Sequence, residues 1–330
     1  MSGRARAQIL EAIIATAAIA GLLPVASQAG AGTEGASFLE IPVGGRPAAL
    51  AGAYSALSTD AYAPVWNPAG LGFLKDTELA TTHLSYLNGI GYEFVGLAGQ
   101  LSPGHSLGAS VQYLHTGDLQ GLDASGNPSA QFTVSYGAYS LAYGQTLGDD
   151  LSVGVTGKLI TGQIDGSSAR AWTADVGAMY RPSERWTLAG VVGELGTDLT
   201  FLSQPDPLPR AVRLAVAFQP RQDLVFSLEG QAPTNSSPSL SAGGEWRALD
   251  VVALRAGYRT DVIRQNSPMA GVTTGVGLRV WGQDFDYAWV PFGDLGTTQY
   301  FTLVIRFGAF SHSPVAAGLP SHDVMDRYYQ

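Results

Sequence analysis

From Glu78 to Phe307 the sequence breaks into segments of about ten residues in which apolar side chains alternate with small or polar ones. A period of two belongs to a strand whose two faces meet different surroundings. Leu151, Val153, Val155 and Leu159 share one face, and Ser152, Gly154, Thr156 and Lys158 share the other. Val212, Leu214, Val216 and Phe218 oppose Arg213, Ala215, Ala217 and Gln219 in the same way, and Phe301, Leu303, Ile305 and Phe307 oppose Tyr300, Thr302, Val304 and Arg306. Tight polar turns are expected at 103–104, 148–150, 182–184, 220–222, 248–249 and 282–283. Longer links are expected near 88–91, 117–131, 165–169, 196–209, 233–238, 261–270 and 293–297. Six short turns alternating with seven other links predict 14 strands. An even count, with short turns at one end and longer loops at the other, is the pattern of a transmembrane outer-membrane β-barrel. The expected fold is therefore all-β, a 14-stranded antiparallel barrel in the outer membrane with both termini in the periplasm.

A soluble β-sandwich or propeller would show the same alternation over a core. No blade repeat occurs, however, and Tyr86, Tyr92, Trp172, Tyr180, Trp186, Trp246, Trp281 and Trp289 gather near the predicted strand ends, as interface girdles do. Charged residues make up only 14% of the chain, while Gly numbers 42 of 330 residues. That balance suits a wall with lipid outside and small side chains inside. Membrane helices are excluded: after Ala29 no stretch reaches 18 uninterrupted apolar residues.

Arg4 and Arg6 followed by the apolar stretch Ile9 to Leu23, with small residues at Ser27 and Ala29, read as an export signal spanning 1–29. Residues 30–77 then precede the barrel (78–307), and 308–330 form a tail after the last strand, read as solvated and periplasmic. Removing the signal takes Arg4, Arg6 and Glu11 with it and moves the net charge from -9 to -10, with no basic stripe for a nucleic acid. With no cysteine there are no disulfides, thiolate metal sites or cysteine nucleophiles.

If the apolar faces look outward, the inner face carries Lys158, Asp175, Arg213, Glu229, Glu245, Arg255, Arg279, Asp286 and Arg306. Opposed residues of a hairpin have position numbers with a constant sum, fixed by the turn centre. The turns named above make Arg279 and Asp286, Arg213 and Glu229, and Lys158 and Asp175 symmetric, with Glu245 and Arg255 diagonal. Opposite signs meet in each pair, which predicts a cross-strand network bracing a narrow, plugged barrel more than a charge-selective pore.

Residues 44–74 do not alternate. They offer a small-residue helix from Pro47 to Leu57 and a reversal at Asn67-Pro68-Ala69-Gly70, a composition suited to close packing inside a lumen. Here the chain resembles the PorV/PorQ family of outer-membrane proteins, itself similar to the FadL fatty-acid transporters. The likeness is carried by Gly45, Arg46, Ala48, Ala49, Gly52 and Ala53, then by Trp66, Asn67, Pro68, Ala69, Gly70 and Leu71. One family glycine is replaced by Ala51, which is expected to matter little in a plug helix. Further matches are Asp206 to Arg210, Leu254 to Tyr258 and Asp286 to Gly296. The resemblance implies a FadL-like barrel with the N-terminal segment as a plug or hatch.

No nucleophile elbow, phosphate loop or dinucleotide fingerprint is present, and the five histidines lack metal-site spacing. Neither an enzyme, a cofactor nor a metal is expected. The expected partners are outer-membrane lipids, the barrel-insertion machinery, and either an exported protein or a hydrophobic small molecule. Docking or handling of exported or hydrophobic cargo ranks above a fatty-acid channel here, because a charged lumen is poor company for an acyl chain.

Overall fold

The computed structural model describes residues 35–85, 89–123, 125–261, 269–291 and 296–307. The expected signal, the tail from 308, Tyr86 and residues 292–295 lie outside them. Among the described residues no helix is long and apolar enough to cross a membrane.

The strands in chain order are β1 (Thr77–Ser85), β2 (Gly91–Ser102), β3 (His105–His115), β4 (Leu119–Leu122), β5 (Pro128–Phe132), β6 (Val134–Thr146), β7 (Leu151–Ile164), β8 (Ser167–Ser183) and β9 (Trp186–Gly196). They continue as β10 (Leu199–Phe201), β11 (Gln204–Asp206), β12 (Ala211–Arg221), β13 (Leu224–Pro233), β14 (Ser239–Leu249), β15 (Val252–Arg259), β16 (Val272–Val280), β17 (Gln283–Pro291) and β18 (Thr297–Phe307). Fourteen of them close a barrel in the order β1-β18-β17-β16-β15-β14-β13-β12-β9-β8-β7-β6-β3-β2, antiparallel throughout. The hairpins β4-β5 and β10-β11 stand apart from it. Closure removes both sheet edges, so no strand exposes unpaired backbone to lipid.

The wall is apolar outside and polar inside. Val155, Leu214 and Phe301 are exposed on the outer face, while Ser152, Thr156, Lys158 and Thr302 are buried on the inner one. This reverses a soluble protein and suits hydrocarbon as the outer solvent. Trp186, Trp246 and Trp281 are exposed at the short-turn end, with Trp186 stacked on Phe218 at 4.3 Å. Tyr92 belongs to no girdle: it is fully buried on the inner face and donates to Gln112 at 2.9 Å.

Several links differ from expectation. The turns after β8, β12 and β14 fall at 184–185, 222–223 and 250–251, where Ser183 pairs with Trp186, Arg221 with Leu224 and Leu249 with Val252. Between β7 and β8, Ile164 pairs with Ser167, so the connection is the two-residue turn Asp165-Gly166 with φ of 43° and 78°. Asp-Gly with two positive φ values is the hairpin turn whose twist matches the strands. Between β16 and β17, Val280 pairs with Gln283, which makes Trp281 and Gly282 the turn, with φ of 54° and 78°.

Residues 35–74 line the inside of this wall. The short helix Gly45–Ala49 packs on β15, β16, β17 and β18, and the 3-10 turn Pro68–Phe73 packs on β3, β6, β7 and β8 across the lumen. Glycines make room for both. Gly144, Gly154 and Gly177 pair in one row across β6, β7 and β8. A Cβ at Gly154 would stand 2.3 Å from the Pro68 carbonyl carbon, and one at Gly177 2.1 Å from Asn67 Oδ1. On the opposite wall, Gly243, Gly257 and Gly275 accommodate Leu50, Ala51 and Ala49.

The expected helix to Leu57 stops after Ala49. Ala51 (φ 56°) and Gly52 (φ 83°) turn left-handed, with Gly52 N donating to Pro47 O at 3.0 Å and Ala51 N to Ala48 O at 3.1 Å, a Schellman cap. The replacement of the family glycine by Ala51 therefore does matter, because a Cβ in this conformation is strained.

Gly35 N bonds Pro207 O at 3.0 Å in the β9–β12 link, at the long-loop end, whereas β1 starts and β18 finishes at the short-turn end. The inner segment thus traverses the barrel from one mouth to the other.

Two stability changes are expected, read as the midpoint of heat-induced loss of the compact gel band. Ala51→Gly raises it, the relieved strain being partly offset by chain entropy, for a net of roughly 0.5 kcal/mol. Gly154→Val lowers it strongly, whereas Gly157→Val, where a Cβ meets nothing within 4 Å, leaves it within about 0.5 kcal/mol.

Candidate functional site

Inside the barrel the wall's side chains satisfy the inner segment's backbone. Thr302 Oγ1 accepts from Gly45 N (2.9 Å), Thr273 Oγ1 donates to Ala49 O (2.9 Å), Thr156 Oγ1 to Pro64 O (3.0 Å) and Ser152 Oγ to Ala69 O (2.5 Å). Glu229 accepts from Tyr54 N (3.0 Å), Ser55 N (2.8 Å) and Ser55 Oγ (3.0 Å). Arg213 donates to Trp66 O (2.9 Å) and Val65 O (3.3 Å) and lies 5.7 Å over the Trp66 ring. The indole of Trp66 in turn donates to Val43 O at 3.0 Å. Asn67 fixes the reversal: its Oδ1 accepts from Ala69 N (3.1 Å), its Nδ2 donates to Ser55 O (3.0 Å), and Pro68, Ala69 and Gly70 follow fully enclosed.

The charges fall into two groups. Toward the short-turn end, Arg46 of the inner segment meets Glu245 at 2.6 Å, Glu245 meets Arg255 at 2.8 Å, and Arg255 meets Asp286 at 2.6 Å. Nearby, Arg306 bridges Glu78 (2.9 Å) and Asp284 (2.8 Å), and Asp284 holds Arg279 (2.6 Å). Asp60 accepts from the Tyr54 hydroxyl and from Tyr62 N (3.1 Å). In the second group Lys158 touches Asp175 at 2.7 Å and also Glu194. Glu194 sits at a β8–β9 register shift with φ 59°, its N–H on Asp175 Oδ1 at 2.9 Å.

The expected register therefore needs correction. Arg279 does not oppose Asp286: it pairs with Asp284, and Asp286 lies across from Gly277. Arg213 does not oppose Glu229 but Gln231, and each of the two binds the inner segment. Lys158 opposes Thr173 and reaches Asp175 diagonally, while Glu245 and Arg255 are directly opposed. The cause is the turns: moving a turn centre by one residue shifts the hairpin partner by two. Sequence reasoning places Arg46 in the inner segment without its partner Glu245, and it does not name the wall ion-pair residues Glu194 and Asp284 or the glycine rows, although glycines on the inward parity of β6, β7 and β8 are visible in the chain.

Two large cavities flank the inner segment. One of about 930 Å³ opens at the long-loop end and is lined mainly by apolar groups, among them Phe38, Ile41, Leu114, Tyr136, Leu199 and Phe201. Its aromatic wall is built by Phe38 stacked on Tyr136 at 5.5 Å and Phe201 edge-on to Tyr136 at 6.5 Å. The other, of about 960 Å³, lies at the short-turn end and is polar, with Arg46, Asp60, Arg181 and Arg306 among its lining. Among the described residues no group of three His, Asp or Glu is placed to hold a metal ion.

Residues 10–183 match the Uncharacterised protein family (UPF0164). The chain belongs to that family. No curated protein matches it. Solved structures add the fold of this UPF0164 member. The crystal structure of a Pseudomonas aeruginosa FadL homologue aligns at 13% identity and TM-score 0.52, over 79% of this chain and 97% of that one. The Pseudomonas putida toluene transporter TodX aligns at 12% identity and TM-score 0.53, over 74% and 91%. The CymD monoaromatic hydrocarbon channel aligns at 12% identity and TM-score 0.57, over 81% and 97%. The fold is a FadL-like 14-stranded barrel.

Double-mutant cycles by tryptophan fluorescence during denaturant unfolding separate the two registers. Asp286→Asn is expected to cost about 2 kcal/mol by removing one of the two carboxylate partners of buried Arg255, and to couple with Arg255→Met by more than about 1 kcal/mol. Arg279→Gln, on a half-exposed pair, is expected to cost less than about 1 kcal/mol and to add independently to Asp286→Asn within about 0.5 kcal/mol.

Proposed function

We propose that this protein is a non-enzymatic outer-membrane barrel that binds a small hydrophobic molecule in its long-loop cavity and passes it beyond the inner segment, which acts as a plug. The carrying observation is the cavity itself: about 930 Å³, aromatic, mostly apolar and bounded on the lumen side by residues 35–42. Its size and lining are those of a small-molecule site. The hydrocarbon transporters that share the fold support the same reading. The short turns face the periplasm and the longer links face outward, as in other such barrels. Export by a signal over 1–29 and insertion by the barrel-assembly machinery belong to this proposal. The PorV/PorQ resemblance of residues 45–53 and 66–71 supports a related role with exported cargo, but a cavity of this volume favours a small molecule over a docked protein.

Two measurements test the reading on the detergent-free, amphipol-held barrel and in proteoliposomes. The neutral dye N-phenyl-1-naphthylamine is expected to bind wild type and to lose at least about tenfold in affinity with Phe201→Asp, which places a charge against the aromatic wall. A chain without native cysteines allows a clean tether: Gly45→Cys with Thr302→Cys joins the plug to β18, where a Gly45 Cβ would lie 3.2 Å from Thr302 Oγ1. Oxidation is expected to stop dye passage and leave dye binding intact, with reduction restoring passage. Unchanged passage through the oxidised barrel would remove the plug from the route.

A further inference from the structure

The long-loop cavity is apolar but not neutral. Asp165 at the β7–β8 turn, Asp206 at the end of β11, Glu40 of the inner segment and Asp261 beyond β15 all line it. Among the described lining residues the single cation is Arg259, and it is engaged by Asp261, its Nε 2.6 Å from Oδ1. The described lining thus carries more negative than positive charge.

Its aromatic wall stands beside these acids: the stacked Phe38 and Tyr136 rings and the edge-on Phe201 line the same space as Asp165 and Asp206. Aromatic faces carry negative quadrupoles that attract an ammonium group, and carboxylates add a net field of the same preference. The apolar remainder, from Ile41 to Leu199, suits a hydrocarbon tail. A carboxylate-headed chain would meet like charge with the guanidinium already taken.

We propose that the cavity selects hydrophobic molecules with a cationic amine head and discriminates against hydrophobic carboxylates. This rests on the hydrophobic-ligand reading of the same cavity.

The test is displacement of N-phenyl-1-naphthylamine from the amphipol-held barrel at low salt and pH 8.5 by three ligands of one chain length: decyltrimethylammonium, decanol and decanoate. The expected order of affinity is ammonium, alcohol, carboxylate, with about tenfold or more between the first and the last. Raising the salt should narrow the gap, since the charge contribution is screened. The variant pair Asp165→Asn and Asp206→Asn should remove most of the ammonium's advantage, lowering its affinity severalfold more than that of decanol. Asparagine tolerates the left-handed conformation of residue 165, so that turn survives the exchange. Decanoate binding as tightly as decanol, or an ammonium no tighter than decanol, would overturn the charge selection while leaving the hydrophobic site in place. If none of the three displaces the dye, or the dye itself does not bind, the underlying site is overturned and the selection with it.

Discussion

An irregular backbone held inside a membrane barrel must have its polar groups met by protein, because no lipid and little water can do so. Residues 45–73 pose that requirement, and the wall answers it with Thr156, Ser152, Thr273, Thr302, Arg213 and Glu229, each bonding a main-chain group of the inner segment. The same contact explains the glycines. A carbonyl such as that of Pro68 lies against the sheet only if Gly144 and Gly154 leave the space of a side chain empty. Polar satisfaction and close approach are two halves of one constraint.

The distribution of charge follows from it. At the short-turn end Arg46 ties the segment to Glu245, Arg255 and Asp286 in one unbroken line. Glu245 and Arg255 each hold two partners of opposite sign in this line, so this end is braced. The long-loop end is different: residues 35–42 meet the wall through rings and aliphatic side chains around an open volume. The braced end therefore carries a polar cavity and the long-loop end an apolar one.

How far the site could be read from the chain is clearest at the turns. Strand number and face followed from alternation alone, and the inward parity of Lys158, Arg213, Glu245 and Asp286 with them. Partners did not, because a tryptophan in the left-handed conformation at 281 displaces the β16–β17 turn by one residue and hands Arg279 to Asp284. At Asp165-Gly166 the local signal for a two-residue turn was present and pointed to the right register.

The sequence by itself determined a closed 14-stranded wall, its apolar and polar faces, and a non-alternating segment rich in small residues to go inside it. These depend on periodicity and composition, which are local. Only the tertiary structure decided that Arg213 and Glu229 bind the inner segment instead of each other, that Ala51 caps a helix left-handed, and that the loop-end cavity joins aromatic rings to acids. Those outcomes bring together residues separated by as much as 257 positions, as Gly45 and Thr302 are, and no period along the chain encodes such a meeting. Closure of the barrel around its own N-terminal segment does.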